Sequence, residues 1–179
     1  RSFFMCLVFF GGMVEPVLIP DGYRLPPEDF SIPSRYEGEL ASVMIPYHRI
    51  FDRVLDIAHS IQSDYGDDDI HVLSVMDGAD MFCTDLVNVL RDDVRGVVDV
   101  RRRDIRAKSY VGVRSSGRVD VSGDLGWVRD KQVLVVEDIV DSGQTMTTLT
   151  GLVKELGARD VRVASFLVKR SPHSNGFTP

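Results

Sequence analysis

The sequence predicts an α/β protein in which helices flank a mostly parallel β-sheet. Short apolar runs alternate along the chain with segments of helical periodicity, and turn residues separate the two kinds of segment. The chain has 179 residues, which corresponds to one domain. Because parallel strands need long crossover connections, this alternation places helices on both faces of one sheet.

The first predicted elements follow a proline-rich lead at residues 16–33, which we expect to be extended with turns. Pro46 is tolerated in a first helical turn, and apolar residues recur at helical spacing over 50–61. The Gly-Asp-Asp-Asp sequence at 66–69 then predicts a turn. The short apolar run Ile70–Met76 that follows is predicted to be a buried strand.

The later elements repeat this alternation. Residues 82–90 predict a second amphipathic helix, and a strand is expected within 94–105. Residues 106–129 are polar, contain Ser and Gly throughout and have no clear period, so a long mobile loop or a hairpin is predicted there. The remaining predicted elements are a strand at 133–136, a helix at 145–156 stopped by Gly157, and a strand at 161–168.

The composition is that of an ordinary globular protein, with 44% hydrophobic and 27% charged residues. The net charge of −6 argues against a general nucleic-acid binder, because a phosphate backbone requires a basic face. The two cysteines form no metal or disulfide pattern, which favours a reducing, cytoplasmic location. The four histidines have no ligand spacing and are predicted at the surface or in turns: His48, His59, His71 and His173.

Residues 1–13 are an atypical apolar N-terminal stretch. They are too few for a membrane span, which needs about 20 residues. Three interpretations stay open: a mispredicted or fragmentary upstream stretch, a buried or interface strand, and a targeting signal. We favour the first and assign the folded domain to residues 14–179.

A string of functional side chains follows the predicted strand at 133–136. Ligands bind beyond the carboxyl ends of strands in such sheets, and three carboxylates stand there: Glu137, Asp138 and Asp141. A cation or a set of sugar hydroxyls would satisfy them. The next residues are small or polar and lead into a helix, whose free N–H groups suit a phosphate. Asp-Ser-Gly alone would be read as a helix cap, but the full string is more specific.

Residues 135–146 resemble the phosphoribosyl pyrophosphate motif, with two large residues, two acids, then apolar, apolar, Asp, Ser or Thr, Gly, any residue and Thr. Over residues 16–179 the chain resembles the hypoxanthine-guanine phosphoribosyltransferase family, which implies the type I phosphoribosyltransferase fold with a mobile loop. The other segments that carry the resemblance are Ile45-Pro46 with Asp52-Arg53, the loop sequence at 106–110, and the strand sequence at 161–172.

The resemblance implies a purine salvage reaction. Hypoxanthine or guanine reacts with phosphoribosyl pyrophosphate to give IMP or GMP and pyrophosphate, with Mg²⁺ as cofactor. Asp141 is implied as the general base near purine N7. The implied binding residues are Ser142, Gly143, Gln144 and Thr145 for the 5′-phosphate, Glu137 and Asp138 for the ribose and Mg²⁺, Lys169 and Ile139 for the purine, Asp77 and Gly78 for pyrophosphate, and Ser109 and Tyr110 in the flexible loop.

Several positions depart from the family pattern. Residues 76–79 read Met-Asp-Gly-Ala where the family usually has Leu-Lys-Gly-Gly, so Asp77 reverses a charge and Ala79 adds a methyl group. Gln144 stands where lysine is common, and His173 where arginine is common. The family continues beyond Pro179 with a purine-stacking aromatic and an aspartate, so we expect a C-terminally truncated domain.

Two hypotheses therefore stay open. The first is a purine salvage phosphoribosyltransferase, which Glu137, Asp138, Asp141 and Lys169 favour. The alternative is a catalytically weak or inactive nucleotide-binding relative that acts as a binding or subunit protein. The expected partners are the substrates and products of the reaction and further copies of the chain in a dimer or tetramer. Neither nucleic acid nor a membrane is expected as a partner.

Overall fold

The computed structural model describes residues 3–5, 8–9, 16–92, 99–109, 119–169 and 172–177. Within these ranges, helices alternate with the strands of a single sheet. In chain order the elements are β1 (Phe3–Met5), β2 (Val8–Phe9), β3 (Val17–Leu18), two short 3-10 helices (Pro27–Asp29 and Ser34–Tyr36), α1 (Tyr47–Tyr65), β4 (Ile70–Met76), α2 (Asp80–Asp92), β5 (Val100–Ser109), β6 (Val119–Ser122), β7 (Gln132–Val140), α3 (Gln144–Glu155) and β8 (Asp160–Lys169).

Four parallel strands form the middle of the sheet in the order β8-β7-β4-β5. Antiparallel β6 pairs with β5 on one side, and β1 and β2 both pair antiparallel with β8 on the other. The predicted α/β fold with a mostly parallel sheet is thus confirmed. Since the four central strands are parallel, their carboxyl ends lie at one edge of the sheet.

The sheet separates two hydrophobic clusters. Helices α1 and α2 cover one face and α3 covers the other. Strand β4 contributes to both clusters, with Ile70 and Val72 on the first face and Leu73 and Val75 on the second. A strand that is covered on both faces needs an apolar side chain at nearly every position, which explains the continuous apolar run of β4.

Helix α1 shows why the apolar period predicted a helix here. Pro46 precedes the first turn with φ −70°, and the helix ends at Gly66, whose φ is 60° and whose N–H donates to the Gln62 carbonyl at 2.8 Å. Val54 and Ile57 are among its fully buried residues. Burial of each such side chain stabilises the fold by roughly 1.5–3 kcal/mol.

Two strands continue further than predicted. Strand β5 continues to Ser109 and pairs antiparallel with β6, which corresponds to the hairpin alternative predicted for the polar segment. Residues 110–118 of the predicted loop, which include Tyr110, lie outside the described residues, whereas residues 119–129 are described. Strand β7 continues to Val140, so Glu137 and Asp138 belong to the strand and do not follow it. Its pairing with β8 carries the strand past the continuous apolar run at 133–136, where the sequence pattern stops.

The prediction that His71 lies at the surface or in a turn was wrong. It is buried in β4, with its ring centroid 5.9 Å from that of Trp127. Burial lowers the pKa of His71, and the charges of Lys131 and Arg101 lower it further. A single polar residue inside an apolar strand is buried together with its neighbours, because the apolar residues on both sides of it fix the register of the whole strand.

Other sequence features also acquire a place in the fold. Residues 3–5 and 8–9 form strands beside β8, which corresponds to the strand interpretation of the N-terminal stretch. Residues 101–103, all arginines, contact other parts of the same chain. In particular, Arg102 donates to Thr84 at 2.8 Å and to Asp104 at 2.7 Å. Among the described helices, none has the length and apolarity needed to cross a membrane.

Candidate active site

The carboxyl ends of the parallel strands bring together most of the predicted site residues. Strand β7 contributes the acidic segment and leads into α3, β8 ends at Lys169, and β4 leads into Asp77 and Gly78. The register of β7 and β8 pairs Val140 with Val168, so the next residue of each strand is a neighbour of the other. The sheet therefore assembles one polar edge from segments that are far apart in sequence.

Asp141 and Lys169 form an ion pair at this edge. Lys169 Nζ donates to Asp141 Oδ2 at 2.8 Å. The Asp141 side chain is 56% exposed and that of Lys169 is 22% exposed, so the pair is accessible from solvent. The family resemblance implies that Asp141 accepts a proton and that Lys169 donates to the purine, and the fold holds these two side chains in direct contact.

Glu137 is the buried carboxyl group of the site. It is 8% exposed, and its Oε1 accepts a hydrogen bond from the Asp138 N–H at 3.0 Å. Burial raises the pKa of Glu137 to about 8, with further contributions from the hydrogen bond and the charge of the Asp138 side chain. This shift favours the protonated form of Glu137 near neutral pH. A cation beside it would favour its charged form.

Asp138 lies directly against the loop between β4 and α2. Its Oδ1 accepts the Ile139 N–H at 2.7 Å, and its carboxylate fills the space that a side chain on Gly78 would need. A side chain at position 78 would therefore have to displace the Asp138 carboxylate. Ala79 is fully buried and has no positive φ, so the methyl group expected to be unfavourable is accommodated. The Met76–Asp77 peptide bond is cis.

Asp77 has a cationic partner that sequence reasoning missed. Arg106 Nη2 lies 3.3 Å from Asp77 Oδ1, and the two side chains are 63% and 75% exposed. The register of β4 and β5 pairs Met76 with Arg106, which places the arginine beside the turn. The sequence did offer one signal for this pair, because Arg106 is the first residue of the segment at 106–110 that resembles the family's mobile loop.

The predicted phosphate loop leads into α3. Gly143 precedes the helix with φ +83° and ψ −9°, a left-handed conformation that favours glycine. Gly143 at the N-cap has no side chain that could cap the helix, and no acidic residue stands in the first turn. The Gln144 N–H donates to Ser142 Oγ at 3.4 Å, and the polar, acid-free helix start suits an anion. The helix begins at Gln144, one residue before the prediction, and Gln144 Nε2 donates to Thr148 Oγ1 at 3.4 Å.

Residues 172–177 cover this loop, which was not predicted from the sequence. The Asn175 N–H donates to the Ser142 carbonyl at 2.8 Å, and Asn175 Nδ2 donates to Thr147 Oγ1 at 3.0 Å. Phe177 packs against the hydrophobic cluster on the α3 face of the sheet. No local pattern signals these contacts, because they depend on how β8 and α3 pack together.

Comparison with known proteins agrees with this geometry. The family profile described as "Phosphoribosyl transferase domain" matches residues 46–175. The chain belongs to the phosphoribosyltransferase family. It is 41% identical over 172 residues to "Phosphoribosyltransferase domain-containing protein 1" of Xenopus laevis, covering 91% of this chain and 75% of the relative.

Further relatives and a solved structure point to the same kind of protein. This phosphoribosyltransferase is 40% identical over 163 residues to "Hypoxanthine-guanine phosphoribosyltransferase" of Canis lupus familiaris, covering 88% of this chain and 74% of the relative. A crystal structure of a hypoxanthine phosphoribosyltransferase from Staphylococcus aureus superposes with a TM-score of 0.65, covering 75% of this chain and 71% of that one. At 23% sequence identity, this likeness shows the shared fold.

Three predicted site residues of this phosphoribosyltransferase remain: Ile139, Ser109 and Tyr110. Ile139 is 37% exposed and offers an apolar surface at the polar edge. Ser109 is the last residue of β5, and Tyr110 lies outside the described residues. A cavity of about 410 Å³ lies away from this edge, between β3 and the start of α1.

Glu137 and Asp138 are the carboxyl groups of this edge that could hold Mg²⁺. Within the described part of the chain, no group of three or more His, Cys, Asp or Glu side chains is arranged to hold a metal. Magnesium ions in phosphate-transfer sites commonly use one or two carboxylates together with water and substrate phosphates. Glu137 and Asp138 are such a pair, and burial is the main cause of the raised pKa of Glu137.

Proposed function

We propose that this phosphoribosyltransferase converts hypoxanthine or guanine and phosphoribosyl pyrophosphate into IMP or GMP and pyrophosphate. The observation that carries the proposal is the ion pair of Asp141 and Lys169, which lies next to the helix start at Gly143. A donor and an acceptor for a purine thus stand beside an anion-binding element. Relatives named hypoxanthine-guanine phosphoribosyltransferase support the same assignment.

In this proposal, the purine binds between the ends of β7 and β8. Lys169 Nζ turns from Asp141 to donate a hydrogen bond to O6 of the purine, which selects 6-oxopurines. Asp141 accepts the proton from N7 as N9 forms a bond to C1′ of the ribose. The bond from C1′ to the pyrophosphate oxygen breaks, and pyrophosphate leaves with the electron pair. Ile139 provides the apolar contact for the ring.

The rest of the edge holds the phosphoribosyl group. Residues 142–145 bind the 5′-phosphate through backbone N–H groups and hydroxyls. Glu137 and Asp138 hold the ribose hydroxyls and Mg²⁺. When bound, Mg²⁺ supplies positive charge that neutralises the departing pyrophosphate. Residues 77–78 face the pyrophosphate, while Ser109 and Tyr110 close over the site and exclude water.

The test is a competition titration with hypoxanthine, guanine and adenine in the presence of phosphoribosyl pyrophosphate and Mg²⁺. The two 6-oxopurines should bind more tightly than adenine, and Lys169→Met should reduce this preference about tenfold, since it removes the only cationic donor in the proposed contact. Lys154→Met is the matched control, because Lys154 lies in the last turn of α3. Tighter adenine binding by the unmodified protein would refute the assignment.

A second candidate function is favoured by one observation. Asp77 places a negative charge in the turn proposed to face pyrophosphate, and this disfavours the substrate more than the product nucleotide. A catalytically weak or inactive nucleotide-binding protein would bind GMP without converting guanine at a measurable rate. Titration with GMP together with a turnover assay on the same preparation separates the two candidates.

Assembly and location remain proposals. We propose a homo-oligomer, either a dimer or a tetramer, that acts in the cytoplasm. Sedimentation equilibrium over a range of protein concentrations tests the assembly, because a reversible oligomer dissociates by mass action on dilution. A fluorescent fusion of the chain tests the location.

A further inference from the structure

The segment at residues 172–177 is attached to the start of α3 through Asn175. The backbone N–H of Asn175 donates to the carbonyl of Ser142 at 2.8 Å. Its side-chain Nδ2 donates to Thr147 Oγ1 at 3.0 Å, and its Oδ1 accepts the N–H of Phe177 at 2.9 Å. One residue therefore bonds to the loop before the helix, to the first turns of the helix and to its own segment.

Gly143 lies directly beneath this segment. A Cβ atom built on Gly143 would lie 2.5 Å from Cβ of Phe177 and would overlap Oδ1 of Asn175. A side chain at position 143 would therefore displace the segment or the loop. On its other side, Phe177 packs against the α3-face hydrophobic cluster, which anchors the segment to the core.

These contacts govern the direction of the loop N–H groups. Binding of a phosphate by backbone N–H groups requires that several peptide planes point at one place. The Ser142 carbonyl belongs to the peptide plane that carries the N–H of Gly143, so the bond from Asn175 restrains that N–H directly. The hydrogen bond to Thr147 restrains the first turns of α3, which carry the other N–H groups of the proposed phosphate site.

We propose that Asn175 is a positioning residue for the 5′-phosphate loop, an inference that rests on the proposed function. Its side chain does not contact the ligand, because its amide is engaged by Thr147 and Phe177. An amide suits this role, since it offers a donor and an acceptor at once.

The test compares dissociation constants for GMP and guanosine, which differ only in the 5′-phosphate. Asn175→Leu should weaken GMP binding about fivefold to tenfold and leave guanosine binding unchanged, since only the phosphate depends on the loop. Thr147→Val should weaken GMP binding in the same direction by less. The double variant should show less than the product of the two effects, because both substitutions break the same bond.

Ser174→Ala is the matched control. Ser174 Oγ accepts the N–H of Gly176 at 3.2 Å within the same segment. This substitution should leave the ratio of the GMP and guanosine affinities unchanged. Should Asn175→Leu not fold, Thr147→Val carries the test alone, because Thr147 is exposed on α3.

The outcomes separate the two levels of inference. If unmodified protein binds GMP no more tightly than guanosine, the proposed phosphate loop and with it the proposed function fail. If GMP is preferred but the preference is the same in Asn175→Leu and Thr147→Val, the positioning role is wrong and the proposed function stands. A parallel loss of GMP and guanosine binding would also overturn the role, since it indicates a general structural defect.

Discussion

Replacement of Asp77 by lysine should increase the use of phosphoribosyl pyrophosphate. A carboxylate about 4 Å from a phosphate charge is repelled by about 4 kcal/mol at an effective dielectric near 20. Arg106, 3.3 Å from Asp77, offsets part of this repulsion. Both side chains are largely exposed, and ion pairs of this kind contribute only about 0–1 kcal/mol. A residual penalty of about 1.4 kcal/mol corresponds to a tenfold loss in affinity or rate.

The assay measures kcat/KM for phosphoribosyl pyrophosphate and the dissociation constant for GMP. Asp77→Lys should raise kcat/KM at least about tenfold and change GMP affinity little, because GMP lacks the pyrophosphate. Adding Ala79→Gly should give no further gain, since the Ala79 methyl group is already accommodated in the core. Arg106→Gln should lower kcat/KM, because it leaves the charge of Asp77 without its partner.

A matched control uses an acid at the opposite edge of the sheet. Asp68 is paired with Arg159 at 2.8 Å, and Asp68→Lys changes the net charge by the same amount. An equal gain in that variant would indicate a general charge effect. If the unmodified protein turns over at an ordinary enzyme rate and Asp77→Lys gives no increase, Asp77 does not face pyrophosphate and the reasoning is wrong.

Three further predictions follow from the site. Gly143→Val should weaken GMP binding by more than about 1.4 kcal/mol, or tenfold, because position 143 has a left-handed φ and lies beneath the covering segment. Gly151→Ala is the control, since Gly151 faces open space on α3. Unchanged GMP affinity in a folded Gly143→Val protein would contradict the phosphate loop. Glu137 keeps its proton in the folded state between its ordinary pKa and about 8, so the stability of the ligand-free protein should fall as pH rises through that window. Glu137→Gln should flatten this dependence in denaturant titrations at several pH values, and an unchanged slope would exclude Glu137 as its source. Asp141→Asn should lower kcat at least about 100-fold with little change in GMP affinity, as expected for loss of a general base, and retained kcat would remove Asp141 from that role.

Local sequence patterns determined the helices and strands of this protein and the order in which the site residues follow one another along the chain. The apolar run of β4 and the helical spacing of apolar residues in α1 both mark buried positions. Buried positions recur along the chain with the period of the strand or helix that contains them. The order of strand, acids, glycine and helix around Gly143 predicted an anion-binding helix start, because each step depends on neighbouring residues alone. The same local information predicted the parallel sheet, since alternating elements leave few other arrangements.

Only the tertiary structure decided which of these groups meet. The contact of Asp141 with Lys169 and that of Asp77 with Arg106 depend on the registers of neighbouring parallel strands. Asn175 reaches the phosphate loop because β8 and α3 pack around a shared core. Such contacts join residues far apart in the chain, whereas periodicity and turn preferences describe only adjacent ones. The burial that raises the pKa of Glu137 has the same origin, since it is produced by the elements that pack around the strand end.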